Sequence, residues 1–147
     1  MGPRRTFAIV ASQYNATYVN GLVENARREL EAIGPGMNVT VQEVPGAFEI
    51  PLLVQEIAMR GGVDAILALG VIIEGETQHA ALICASVTDA LLRIALAHRI
   101  PVIHEVLLVK NEEQARVRSL EPELNRGVEA ARVAVRMAHV LADLPRR

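Results

Sequence analysis

Several short stretches of this chain carry residue types for which a purely structural loop has little use. In GVIIEGETQHA, Gly70–Ala80, a glycine at 75 lets backbone approach a ligand closely, and Glu76-Thr77 stand at the entrance of a long apolar segment expected to be helical. Free N–H groups and the positive end of a helix dipole make such an entrance a site for an anion such as phosphate. Thr77 is equally a good N-cap. The carboxylates of Glu74 and Glu76 would oppose an anion if turned inward, so they are expected to face solvent or a basic partner. His79 is expected on the first helical turn, where the dipole disfavours imidazolium and leaves a neutral base near pH 7. A histidine at a helix start is otherwise simply a surface residue.

A second stretch, VPGAFEIP (Val44–Pro51), sets Phe48 and Glu49 in a frame stiffened by two prolines. One ring, one carboxylate and exposed backbone N–H groups suit a polar ligand, although Glu49 could instead cap the following helix. Tyr14, with Asn15, follows a buried apolar run and could stack on a planar heterocycle or pack on its neighbouring helix. Arg118 and Arg126 flank SLEPELN, whose proline breaks a helical pattern; they fit a phosphate clamp or a solvated face. His98 and His139 fall on helices, and His104 lies within an apolar run. Metal-ligand spacings such as HxxxH and CxxC do not occur, and neither do GxGxxG, Walker or GxSxG motifs. Cys84 sits in an apolar helix and reads as core.

The elements that must hold these loops alternate. Thr6–Ser12, Asn38–Val44, Ala65–Val71 and Val102–Val109 are short and apolar, three of them nearly continuously so, as parallel strands covered on both faces require. NVTVQEV alternates and suits an edge strand. Helical patterns occupy Thr17–Ile33, Pro51–Arg60, Gln78–His98 and Gly127–Leu144, with stops at Gly34-Pro35-Gly36, Gly61-Gly62 and Ile100-Pro101. The alternation predicts right-handed crossovers and one α/β domain over residues 1–147, a three-layer α/β/α sandwich with a four-stranded parallel sheet. Ligands then bind beyond the carboxyl ends of the strands, which selects Gln13–Ala16, Pro45–Pro51, Ile72–Gln78 and Lys110–Glu113.

Composition narrows the classes further. Fifteen basic against 17 acidic residues give a net charge of −2, which argues against nucleic acid as a partner. One cysteine permits no internal disulfide and points to a reducing, cytoplasmic setting. No apolar run is read as reaching the roughly 18 residues that span a bilayer, and the N-terminus lacks a signal-peptide core, so no membrane partner is expected. ALICASVTDALLRIALA is apolar on more than one face, where a helix covering a sheet should turn a polar face outward. The surplus stripe predicts packing against another copy of the chain.

Together the segments SQYN, VPGAFEIP, LGVIIEGETQH, PVIHEVL, NEEQA and NRGVEAA resemble the 6,7-dimethyl-8-ribityllumazine synthase family from Thr6 to about Leu141. The resemblance implies a flavodoxin-like sheet and a transferase of riboflavin biosynthesis. Its substrates would be the small molecules 5-amino-6-(D-ribitylamino)uracil and 3,4-dihydroxy-2-butanone 4-phosphate, with no cofactor and no metal because no step is a redox step. It implies that Tyr14 stacks on the pyrimidinedione, that Ala47, Phe48 and Glu49 bind the ribityl chain, and that Val71, Ile72 and Ile73 contact the pyrimidine. Glu76 and Thr77 would bind phosphate, and His79 would be the catalytic histidine. His104 would be a pocket residue, usually aromatic in the family, donated by the adjacent subunit. Arg118 would be that neighbour's phosphate ligand, and Arg126 stands where a lysine is common. The implied assembly is a homo-oligomer, a pentamer alone or built into a higher assembly of pentamers, with sites at subunit interfaces. Ala80-Ala81 departs from the aromatic and acid that often follow the histidine. Rival readings are a flavin- or lumazine-binding module without turnover, a shell subunit that has lost its site, and an archaeal-type riboflavin synthase.

Overall fold

The computed structural model describes residues 4–145 of the chain. Four parallel strands, β1 (Thr6–Ser12), β2 (Asn38–Val44), β3 (Ala65–Ile73) and β4 (Val102–Val109), lie in the order β2-β1-β3-β4. Five helices connect or flank them: α1 (Ala16–Ile33), α2 (Ile50–Arg60), α3 (Ala80–His98), α4 (Glu112–Ser119) and α5 (Arg126–Ala142). Short 3₁₀ turns at Ala47–Glu49 and Glu74–Glu76 precede α2 and α3. The expected three-layer α/β/α sandwich is present, with the alternating NVTVQEV strand at one sheet edge.

Side-chain alternation along the inner strands divides the core in two. Phe7, Ile9 and Ala11 of β1, with Leu67, Leu69 and Val71 of β3, pack beneath α1 and α5 on one face. Ala8 and Val10, with Ile66, Ala68 and Ile72, pack beneath α2 and α3 on the other. Every residue of β3 is buried, which is why it reads as an unbroken aliphatic run. Each fully buried Leu or Ile contributes about 1.5–3 kcal/mol of transfer free energy, so β1 and β3 form a stiff base for the loops at their carboxyl ends.

Helices α1, α2 and α5 start one residue earlier than the sequence predicts and α5 ends two earlier, and three further differences have a local cause. Strand β3 runs to Ile73, two residues further, because Ile72 and Ile73 still pair with β4, opposite Leu108 and Val109. Helix α3 starts at Ala80, because Thr77 is extended and Gln78–His79 form a turn. Helix α4 has no counterpart in the sequence expectation; it begins inside the predicted loop Lys110–Glu113 and continues beyond it. Asn111 caps it, its side-chain oxygen accepting from the Gln114 N–H at 2.9 Å, and Glu112 and Glu113 lie in its first turn. A fourth correction concerns length and polarity: α3, with 19 residues and a mean hydropathy of 1.8, is long and apolar enough to cross a membrane. Here it lays Val87, Leu91 and Ile94 on the sheet and carries an Asp89–Arg93 ion pair, at 2.8 Å, on its outer side.

Candidate active site

The carboxyl ends of β1, β2 and β3 are tied into one rim by backbone and side-chain hydrogen bonds. The Gln13 N–H donates to the carbonyls of Val44 (2.9 Å) and Pro45 (3.1 Å), and the Tyr14 N–H donates to Pro45 (3.2 Å). Asn15 adopts a left-handed conformation (φ 59°), which Asn tolerates better than most residues. From there its side-chain amide donates to the Val71 carbonyl at 2.8 Å, linking the β1 loop to β3. Gly46 is needed for close approach rather than for its backbone angles. A Cβ there would stand 3.0 Å from the Tyr14 ring and 3.1 Å from the Glu49 carboxylate.

Glu49 is held by the loop itself. One carboxylate oxygen accepts the Gly46 N–H at 2.9 Å, and the Glu49 N–H donates back to the Gly46 carbonyl at 3.1 Å. The other oxygen makes no hydrogen bond among the described residues. The capping role considered for Glu49 is therefore realised within its own turn, and part of the carboxylate remains for a ligand. Tyr14 and Phe48 are 70% and 65% exposed, whereas Phe7 is fully buried. Two of only four aromatic rings stand out from the core, supported by a rigid frame.

Between these groups opens a cleft of about 550 Å³. It is lined by Tyr14, Ala47, Phe48, Glu49, Val71, Ile72, Ile73 and Thr77 of the expected set, joined by Ser12, Asn15, Gly46 and Ile83. One face is apolar and aromatic, and the rest offers a carboxylate, hydroxyls and strand-end backbone. That combination suits a planar ring bearing a polar chain.

The α3 entrance is open. Thr77 does not cap the helix; its hydroxyl accepts the His79 N–H at 3.1 Å. His79 occupies the N-cap position instead, one residue before the first turn, and makes no side-chain cap. The first N–H groups of α3 are thus left for another acceptor. His79 is exposed and does not line the cleft in the single chain. Glu74 is exposed, as expected; the Glu76 side chain lies outside the described residues, and its backbone belongs to the 3₁₀ turn.

The remaining expected residues lie elsewhere. Arg118 and Arg126 share a different pocket of about 550 Å³ with Leu107, Val117 and Leu124. Asn125 fixes their spacing: its amide donates to the Ser119 and Glu121 carbonyls, and its oxygen accepts the Gly127 and Val128 N–H groups that begin α5. The two arginines are electrostatically unlike. Arg126 donates to both oxygens of the buried Glu105 carboxylate, at 2.6 and 3.1 Å, and those hydrogen bonds raise its pKa further. Arg118 is exposed and has no ion pair among the described residues. Its neighbour Arg116 is held by Glu113, at 2.6 Å, and by Glu121. The Arg116 guanidinium keeps the Glu113 carboxyl below the usual range. Charge is therefore spoken for at 116 and 126 and uncommitted at 118.

His104 belongs to neither pocket and lies between β4 and α3. Its Nδ1 accepts the Val106 N–H at 3.0 Å, so Nε2 carries the proton and donates to the Thr88 hydroxyl at 2.7 Å. Burial lowers its pKa, opposed by the charge of Glu105. Protonation at Nδ1 would also break the bond to Val106, so the ring is set neutral. Among the described residues no three His, Cys, Asp or Glu side chains stand close enough together to hold a metal ion.

Sequence reasoning missed Ser12 and gave Asn15 no role in the site. Asn15 carried a weak signal, as a turn-former directly after a strand. Comparison with known proteins adds an independent line. The family model of 6,7-dimethyl-8-ribityllumazine synthase matches residues 4–142. The 6,7-dimethyl-8-ribityllumazine synthases of Burkholderia multivorans and Paraburkholderia phymatum are each 43% identical to this chain over 137 residues, covering 92% of it and 77% of theirs. That of Burkholderia vietnamiensis is 42% identical over 137 residues, covering 92% of this chain and 79% of its own.

Proposed function

This chain belongs to the 6,7-dimethyl-8-ribityllumazine synthase family, and on that premise we propose how its surfaces share the work. It is a transferase that condenses 5-amino-6-(D-ribitylamino)uracil with 3,4-dihydroxy-2-butanone 4-phosphate, giving 6,7-dimethyl-8-ribityllumazine, phosphate and two waters. The observation that carries the division of labour is the convergence of Tyr14, Phe48, Glu49 and Val71–Ile73 on one cleft. Tyr14 stacks on the pyrimidinedione and the β3 end meets its edge. Ala47, Phe48 and Glu49 take the ribityl chain. The phosphorylated ketone docks by its phosphate at the uncapped start of α3, beside Glu76 and Thr77.

The chemistry begins when the ring amine adds to the ketone and loses water, forming an imine. Phosphate then leaves, the enol tautomerises, and the second amine closes the ring with loss of another water. No electrons are transferred to or from a partner, so positioning and proton transfer are the work required of the protein. His79 moves protons at the cleft mouth. Arg118 neutralises the phosphate from an adjacent copy, an assignment supported by its uncommitted charge and by its place in a pocket other than its own chain's cleft. His104 and Arg126 complete the uracil side of the neighbouring site, the first as a neutral ring and the second as a cation oriented by Glu105.

A site shared in this way requires a homo-oligomer. The outer face of α3 supports one: Leu82, Leu92 and Leu96 are 60–71% exposed, a poor surface for water and a good one for another copy. We take the assembly to be a pentamer of single-domain subunits, alone or joined to further pentamers, working in the cytoplasm, where the free Cys84 stays reduced. Incubating the chain with both substrates tests the reading. Lumazine fluorescence should rise with one phosphate released per product. Tight binding of lumazine without any turnover would contradict it.

A further inference from the structure

We propose that the Ser12 hydroxyl is a specificity-determining group that hydrogen-bonds a hydroxyl of the substrate's polyol chain. The inference rests on the cleft reading above and assigns it a residue beyond those of the ribityl-binding turn. Ser12 is the last residue of β1 and is only 3% exposed, yet it lines the cleft. Its side-chain oxygen makes no hydrogen bond among the described residues. The strand alternation that points Ala8 and Val10 into the α2–α3 core points Ser12 the same way, where an apolar side chain would cost nothing. The hydroxyl is not sealed off from the cleft, so it is open to a ligand there.

The fold also makes room for it. Gly70 sits beside Ser12 on β3, one position past the Ala11–Leu69 pair, and a Cβ at 70 would stand 2.8 Å from the Ser12 oxygen. The missing side chain at 70 lets the hydroxyl occupy its place at the cleft. A serine hydroxyl both donates and accepts, and so does each hydroxyl of a polyol. A methyl or an alkyl chain of the same length could use neither capacity.

The test compares two ligands by fluorescence titration: 6,7-dimethyl-8-ribityllumazine and 6,7,8-trimethyllumazine, which keeps the ring and lacks the polyol. Ser12→Ala should weaken the ribityl compound roughly tenfold, the loss of one hydrogen bond in a buried site. It should leave the trimethyl compound unchanged and the thermal midpoint equal or higher. Unchanged affinity for the ribityl compound would overturn the inference alone, as would an equal loss on both ligands, which marks a packing or ring role. A wild-type chain that binds neither compound would overturn the cleft reading and this inference together.

Discussion

Helices α1 and α3 are nearly equal in length, 18 and 19 residues, and each buries four side chains against the sheet. Their outer faces are opposites. Helix α1 presents Asn20, Glu24, Arg27, Arg28 and Glu31 to solvent, with a Glu24–Arg28 ion pair at 3.1 Å. Helix α3 presents Leu82, Leu92 and Leu96 around the Asp89–Arg93 pair. Both helices bury the same kind of stripe inside, so the difference is confined to their outer faces. Helix α1 ends its layer at water. Helix α3 carries at its N-terminus the turn with Thr77 and His79, and along its length the groups that a second copy would cover.

An α3 that needs no partner would tolerate charge on its outer face. Leu92→Arg combined with Leu96→Arg should dissociate the assembly and lower turnover on the order of a thousandfold, because reactant positioning and the neighbour's cation are lost together. Mass photometry and the fluorescence assay read both effects; Glu24→Ala on α1 should alter neither. Next is the helix entrance. His79→Ala should slow turnover roughly a hundredfold while the fold and assembly persist, measured as kcat with both substrates saturating. Smaller still, Arg118→Ala should raise KM for the phosphorylated ketone at least about tenfold, the scale of one charge-assisted contact. A change confined to the uracil KM would reverse the assignment of the two subsites.

The smallest effect concerns pH. In the unfolded chain His104 titrates near its ordinary value of about 6.5, and in the fold its pKa is lower. Above 6.5 both states are neutral and nothing is lost. As pH falls below 6.5 the unfolded chain takes up its proton first, so stability declines until the folded value is passed. Denaturant unfolding between pH 5 and 8 should show that decline in the wild type, and His104→Gln should flatten it.

How far the sequence reveals these features depends on how local their causes are. The strands are legible because burial on both faces demands unbroken aliphatic runs, as in AILALGVII. Helix α4 is not, because NEEQARVRS buries only Ala115 and Ser119 and shows no apolar stripe; its Asn111 cap and first-turn acids were the readable signs. Thr77 illustrates a different limit. Its residue type suits an N-cap, but the turn at Gln78–His79 displaces the helix by two residues and makes its hydroxyl an acceptor for His79. In the site, Tyr14 and Phe48 stand out through the scarcity of aromatics. Ser12 and Asn15 act through partners more than fifty residues away in sequence, Gly70 and Val71, and no local pattern announces that approach.

In the proposed site, one chain's cleft is completed by another chain's arginine. Subunit complementation tests it most directly: His79→Ala and Arg118→Ala chains, each weakly active alone, are co-folded and assayed at low concentration of the phosphorylated ketone. Interfaces that pair an intact cleft with an intact Arg118 should restore up to about a quarter of wild-type turnover in randomly mixed assemblies. Co-assembled chains whose activity stays at the average of the two variants would place His79 and Arg118 in the same chain's site and contradict the account.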